Sequence, residues 1–129
     1  MKLPIRVSED SREPIYHQIE IQVKALIVGG QLIPGTPLPS IRALANELAC
    51  SVITTRRAYQ NLEIGGYIKT VQGKGTFVKE LEEQMIEKTK EKVVYDALRK
   101  AIKQGEQVGC SKEKMQTIFT ELIKEGPHE

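Results

Sequence analysis

The stretch PSIRALANELACSVITTRRAY, residues 39–59, decides how the rest of the chain is read. It holds two short apolar-periodic segments separated by a small break, and then sets Arg56 beside Arg57. Ser40 follows Pro39 and has the short hydroxyl side chain that caps a helix. Ile41, Leu44, Ala45 and Leu48 then recur at the spacing of one helical face. The pattern stops near Ala49-Cys50. Ser51 is a second cap, and the helix it starts is expected to bury Thr55, Ala58, Tyr59 and Leu62 and to end at Gly65-Gly66. Two short helices joined by a tight turn at a steep angle make a helix-turn-helix.

Working outward, REPIYHQIEIQVKALIVGG (12–30) places Ile15, Ile19, Val23, Leu26 and Ile27 close to one helical face. Pro14 suits the first turn of that helix, and Gly29-Gly30 supply a stop. QLIPGTPLP (31–39) is a loop made rigid by three prolines, so it should aim the helix pair that follows. Beyond the pair, YIKTVQGKGTFVK (67–79) sets the strand formers Tyr67, Ile68, Val71, Phe77 and Val78 around a Gly-Lys-Gly tip. This predicts a two-stranded hairpin with its loop at Val71 to Gly75, too small to stand without leaning on the helices. Helix, helix, helix, hairpin is a winged helix. The expected fold is therefore mainly α with a small β-hairpin: a winged helix-turn-helix over residues 1–79, followed by a helical tail over residues 80–129.

From Leu81 the composition becomes rich in Glu and Lys, with apolar residues at Met85, Ile86, Val93, Val94, Ala97, Leu98, Ala101 and Ile102. TKEK at 89–92 interrupts the stripe. A helix reaching Gly105, about 30 Å long, is expected, then a loop, a Ser111 cap and a last helix carrying Met115, Ile118, Phe119, Leu122 and Ile123. Two helices cannot seal a core of their own. Val93, Val94, Ala97, Leu98, Ala101, Ile102, Ile118, Phe119 and Leu122 are thus expected to meet the same faces of a second chain as a homodimer. The alternative is that the tail folds back on the winged helix of its own chain.

Charge divides along the same line. Residues 1–79 carry ten Lys/Arg against six Asp/Glu, and residues 80–129 nine against eleven, so a basic module (+4) precedes an acidic one (−2). A basic module can meet a polyanion, although ordinary surface scatter gives the same totals. No stretch approaches the ~20 apolar residues of a membrane span, and MKLPIRVSED turns acidic where a signal peptide needs an apolar core. A cytoplasmic protein without membrane contact is expected. Cys50 and Cys110 lie far apart and read as reduced thiols. His17 and His128 are equally isolated, so no metal site and no cofactor is expected. GKGT lacks the spacing of a nucleotide loop, no Ser-His-Asp arrangement can be assembled, and enzymatic activity is not expected.

In a helix-turn-helix the second helix lies in the major groove with its N-terminal residues facing base edges. Counted at 100° per residue from Thr55, Ile53 and Arg57 point outward and Arg56 lies on the flank. An arginine there can pair with guanine or phosphate. Arg42, outward on the preceding helix, can reach the DNA backbone or a groove edge. Thr54 suits a phosphate or a thymine methyl. Ile53 can touch a thymine methyl or pack sideways on its neighbours. At the hairpin tip Lys69, Gln72 and Lys74 are polar or basic, and Gly73 and Gly75 let the backbone approach a phosphate or enter the minor groove. Double-stranded DNA is the expected partner. Docking of an acidic protein on the Arg56/Arg57 face is the alternative.

PIYHQI, GQLIPGTPLPSIRALANEL, TTRRAYQNLE and GYIKTVQGKGTFV, in that order over roughly residues 14–78, resemble the DNA-binding domain of the GntR family of bacterial transcription regulators. The short two-helix tail is similar to that of the YtrA subfamily, which dimerises through it and lacks a large ligand-binding domain. The resemblance implies DNA contacts from Ser40 and Arg42, from Ser51, Thr54 and Arg56, and from Gln72 and Gly73 at the wing. Arg57 matches a commonly basic neighbour. Val52 departs from a family arginine that touches bases, and Cys50 stands at a usually buried aliphatic position. The resemblance further implies a repressor of a transporter-type operon with a two-fold-symmetric operator. It leaves room for a small-molecule effector that no residue identifies.

Overall fold

Four helices of the chain end in one device: a residue in the left-handed region, with the following N–H reaching back five residues and its own reaching back three. The computed structural model describes residues 2–126, so His128 lies outside the described residues. Helix α1 (Ile15–Val28) closes this way at Gly30, whose φ is 84°: Gln31 N–H donates to the Leu26 carbonyl and Gly30 N–H to that of Ile27. Helices α2 (Ile41–Leu48), α3 (Val52–Ile64) and α4 (Glu83–Gln107) close at Ala49, Gly66 and Gly109. Three of these four positions are glycine, for which the left-handed region costs nothing. Ala49, at φ 54°, is the exception, and it sits in the turn of the helix-turn-helix.

Helix starts are as regular. Ser40, Ser51 and Ser111 each accept a hydrogen bond from the backbone N–H three residues on, at the heads of α2, α3 and α5 (Lys112–Lys124). Strands β1 (Ile68–Val71) and β2 (Gly75–Val78) pair antiparallel, with Val71 opposite Gly75. The hairpin loop is therefore Gln72-Gly73-Lys74, because the expected loop ends Val71 and Gly75 are themselves paired.

The rigid Pro/Gly loop does more than aim α2. Gly35 N–H donates to the Val78 carbonyl, Val78 N–H to that of Thr36, and Leu38 N–H to that of Thr76, so residues 35–38 cover the outer edge of β2. An uncovered edge would invite pairing with another chain.

Ile19 and Val23 of α1, Leu44 of α2, Ala58 and Leu62 of α3, and Ile68 and Val78 of the hairpin form the centre of the core. The buried stripe of α3 is Thr55, Ala58, Tyr59 and Leu62, as the periodicity predicts. Polar bonds set the angles between elements. The Tyr59 hydroxyl donates to the Pro39 carbonyl (2.6 Å), locking α3 to the start of α2, and Asn61 Nδ2 donates to Glu20 on α1 (3.1 Å). Burial, and secondarily the charge of Glu47, pushes the Tyr59 hydroxyl well above the ordinary tyrosine range.

The N-terminal segment joins this core through Leu3 and Ile5. Gln22 binds both backbone groups of Arg6 (3.0 and 2.6 Å), and Gln18 both of Ser8 (2.8 and 2.9 Å). Four residues of helix rise about 6 Å, nearly the span of two extended residues, so glutamines one turn apart serve alternate residues of an extended strap.

Two compact units result, Met1–Lys90 and Glu91–Glu129, so the division falls inside α4. In the first unit Leu81, Met85 and Ile86 pack on the core, and the buried Thr89 shares a hydrogen bond with the Tyr67 hydroxyl (2.7 Å). TKEK thus begins with an anchoring residue rather than a gap. In the second unit α4 passes through Gly105, where the tail helix was expected to end, and continues to Gln107. A Cβ at Gly105 would lie 2.5 Å from Met115 Sδ of α5, so this glycine makes room for the neighbouring helix instead of terminating its own. No described residue of the second unit is buried.

Candidate nucleic-acid interface

The head of α3 is built by two hydroxyls. Ser51 Oγ accepts from Thr54 N–H (3.0 Å) and donates its own proton to Thr54 Oγ1 (2.8 Å). With the cap proton committed inward, the Thr54 hydroxyl keeps its proton for an outside acceptor, such as a phosphate oxygen. Beneath this pair Thr55 Oγ1 donates to the Ser51 carbonyl (3.1 Å) and lies 3.3 Å from Cys50 Sγ. Both cysteines are free and half-buried. Cys50 therefore packs under the cap.

Several of the expected residues are exposed on α3 and at the start of α2. Ile53, Arg56 and Arg57 are all exposed within about one turn of each other, Ile53 and Arg57 opposite the buried stripe and Arg56 on its flank. Ser40 and Arg42 are exposed at the start of α2, which Tyr59 ties to α3 through Pro39. Val52 is half-buried. Gln72, Gly73 and Lys74 are exposed on a separate element, the hairpin tip, where Lys74 N–H closes the turn on the Val71 carbonyl (2.9 Å) and Gly73 takes a φ of 79°. No hydrogen bond among the described residues joins the tip to α2 or α3.

Arg57 has a second commitment that helical counting does not reveal. Its guanidinium lies 3.9 Å from the centroid of the Tyr16 ring on α1. Stacking occupies the face of the guanidinium and leaves its in-plane N–H donors open. The aromatic ring thus holds the arginine in place without consuming its hydrogen bonds. Position 16 is apolar-aromatic at the head of α1, and no one-dimensional pattern links it to position 57.

The electrostatics of this face are one-sided. Among the described residues, the ion pairs between side chains are Glu87–Lys90 and Lys92–Asp96, both on α4. Arg42, Arg56, Lys69 and Lys74 are exposed and make no ion pair among the described residues. Unneutralised cations on a capped helix head and a glycine-bearing tip attract phosphate, and such attraction weakens steeply with salt. Among the described residues no group of three His, Cys, Asp or Glu could hold a metal ion, and no helix is long and apolar enough to cross a membrane.

The expected tail residues lie on the second unit. Val93, Val94, Ala97, Leu98, Ala101 and Ile102 on α4, and Ile118, Phe119 and Leu122 on α5, are all exposed in the single chain, Val94 at 55% and Phe119 at 46%.

Comparison with known proteins places these features. The family described as bacterial regulatory proteins, gntR family, matches residues 15–78, which span α1 to the end of the hairpin. The chain is 34% identical over 118 residues to the HTH-type transcriptional repressor YtrA of Bacillus subtilis (strain 168), covering 92% of this chain and 91% of that one. A GntR family transcriptional regulator from Listeria monocytogenes has the same fold, with a TM-score of 0.69 and 31% identity over 87% of this chain and 97% of that one. The DNA-binding domain of AraR, solved in complex with operator ORE1, is similar at a TM-score of 0.50 and 28% identity, over 59% of this chain and 93% of that one. With a winged helix, an exposed cationic helix head and a relative matched nearly end to end, the chain belongs to the GntR family of DNA-binding transcriptional regulators.

Proposed function

We propose that the protein is a homodimeric cytoplasmic repressor that binds a two-fold-symmetric operator. Each copy lays α3 in a major groove and its hairpin tip in the adjacent minor groove. The observation that carries this reading is the exposed head of α3, where Arg56, like Arg42 at the start of α2, has no carboxylate partner among the described residues while the Thr54 hydroxyl is free to donate outward. In such a groove Arg56 and Arg42 contact guanine or phosphate, Arg57 offers its donor edge to phosphate from its seat on Tyr16, Ser40 and Thr54 donate to backbone oxygens while Ser51, its own proton given to Thr54, holds that hydroxyl in place, and Gln72, Gly73 and Lys74 enter the minor groove.

Dimerisation follows from what the second unit leaves uncovered. Two helices with Leu98, Ile102, Phe119 and Leu122 exposed need a partner to exclude water, and a second copy meets the same stripe by two-fold symmetry. Repression is the activity named for the Bacillus subtilis relative YtrA. A transporter-type operon as the target rests on the resemblance to that subfamily.

The decisive measurement is operator affinity at two salt concentrations, with sites selected from a random duplex library. Arg56→Ala or Arg42→Ala should each weaken binding by about 1–3 kcal/mol, and a lost phosphate contact should lower the salt slope by about one. Unchanged affinity in a folded double variant overturns the assignment of these arginines.

A further inference from the structure

We propose that Ile53 reads the C5-methyl group of a thymine in the operator's major groove. The inference rests on the placement of α3 proposed above and adds the base that this helix recognises.

Ile53 is the second residue of α3 and 77% exposed. The sideways packing on α2 or the hairpin that its sequence context allows is therefore not used. It lies about half a turn from the buried stripe, with Arg56 and Arg57 three and four residues on and the Ser51–Thr54 hydroxyl pair beside it. Other exposed aliphatics lie elsewhere: Ile33 in the Pro/Gly loop, Ile64 at the far end of α3, Val108 after α4. Ile53 alone among them stands on the turn that faces base edges when α3 enters a groove.

The chemistry of that position is selective. Its side chain has no donor or acceptor, so only apolar contact can distinguish one base from another. Of the four bases of unmodified DNA, thymine alone presents a methyl group in the major groove, whereas cytosine presents an N4 amino donor there. Covering that donor with an aliphatic chain strips its water without replacing the bond. The β-branched side chain is held to one strongly preferred rotamer in a helix, so its methyl groups arrive already placed. Flanking Arg56 and Thr54 supply the polar contacts, and Ile53 supplies the apolar one between them.

The test needs only the full-length protein and selected duplexes. Thymines of the selected site are replaced singly by deoxyuridine, which deletes the methyl group and leaves pairing intact. Wild type should lose about fourfold in affinity at one position per half-site, the equivalent of one buried methyl group, and about sixteenfold when both half-sites are changed. Ile53→Ala should bind thymine and uracil duplexes equally, and Ile53→Val should keep most of the discrimination. The exposure of position 53 predicts unchanged melting temperatures for both variants. A wild-type site at which no thymine methyl matters, or an Ile53→Ala protein that still discriminates, overturns the role of Ile53 and leaves the reading of α3 intact. If wild type selects no sequence at all, that reading falls and the thymine proposal falls with it.

Discussion

The two units of this chain solve the problem of apolar surface in opposite ways. Residues up to Lys90 bury their aliphatic side chains against one another, with Ile19, Leu44 and Leu62 wholly covered, and among the described residues no buried side-chain polar atom lacks a partner. Beyond Lys90 the helices are as regular, yet Leu98, Ile102, Phe119 and Leu122 all remain exposed in the single chain. Regular secondary structure is thus no measure of an independent core. Helix caps and periodic stripes form both regions, while a sealed interior needs enough further elements to cover a helix pair, which α1 and the hairpin provide only in the first. Faults in the first unit should be felt as lost stability, and faults in the second as lost assembly.

The largest expected effect comes from separating them. A chain ending at Lys90 keeps Met85, Ile86 and the Thr89–Tyr67 bond, and should melt as a folded monomer. Cutting after Lys79 would strip those residues away and confuse loss of the dimer with loss of the fold. Operator affinity of the Lys90 truncation should fall by about 10²–10⁴-fold, since two linked half-site contacts become one. Light scattering and a binding titration measure both, and a dimeric truncation would break the comparison. A milder version is Leu98→Asp with Phe119→Asp. This variant should shift the protein toward monomer while the transition of the first unit stays in place. In wild type only the tail transition should rise with protein concentration.

Next in size is the Tyr59–Pro39 bond that joins the two helices of the motif. Tyr59→Phe should cost about 1–2 kcal/mol in chemical denaturation, because the Pro39 carbonyl loses its buried donor. The sign of the pH dependence follows from the raised ionisation of this hydroxyl, which burial keeps neutral in the folded state. The associated stability is full below about pH 10, where the unfolded tyrosine also stays neutral. It is lost as pH climbs above that value toward the folded one. Alkaline melts of wild type should therefore fall above about pH 10, and Tyr59→Phe should flatten that fall. The tail, which lacks a buried tyrosine among its described residues, should not contribute to the difference.

Much of the first unit was legible because its signals are local. Ser40 and Ser51 mark helix starts, Gly30 and Gly66 mark ends, and the stripe from Thr55 to Leu62 repeats at helical spacing. What stayed hidden depends on residues distant in sequence. The alternation of Leu3, Ile5 and Val7 is a strand signal too short to trust without the glutamines of α1 that bind its backbone. The cover that residues 35–38 give β2 appears only once the hairpin is folded, and the Tyr16 seat of Arg57 only once α1 meets α3. Gly105 misled for a related reason. Glycine ends a helix when its φ is positive, but also serves inside one where a neighbour needs room, and Met115 decides between the two. At the candidate interface, exposure and charge were readable from periodicity. The direction of the Ser51 proton toward Thr54 was not.

The smallest predicted effect concerns the one helix end that departs from the rest. Ala49 adopts φ 54° with the same pair of backbone bonds that Gly30, Gly66 and Gly109 make, from Cys50 N–H to the Ala45 carbonyl and from its own N–H to that of Asn46. A Cβ in the left-handed region costs roughly 1–2 kcal/mol. Replacing it by glycine removes that cost but adds about 0.4–1 kcal/mol of unfolded-chain entropy. Ala49→Gly should therefore stabilise the first unit by about 0.5 kcal/mol, raising its melting temperature by a few degrees and leaving the dimer–monomer equilibrium where it was. Because the turn between α2 and α3 is already over-determined by the Tyr59 bond, operator affinity should stay within about twofold. A clear drop in affinity at raised stability would mean that the stiffness of alanine at this turn, rather than the bonds around it, sets the angle at which α3 meets its groove.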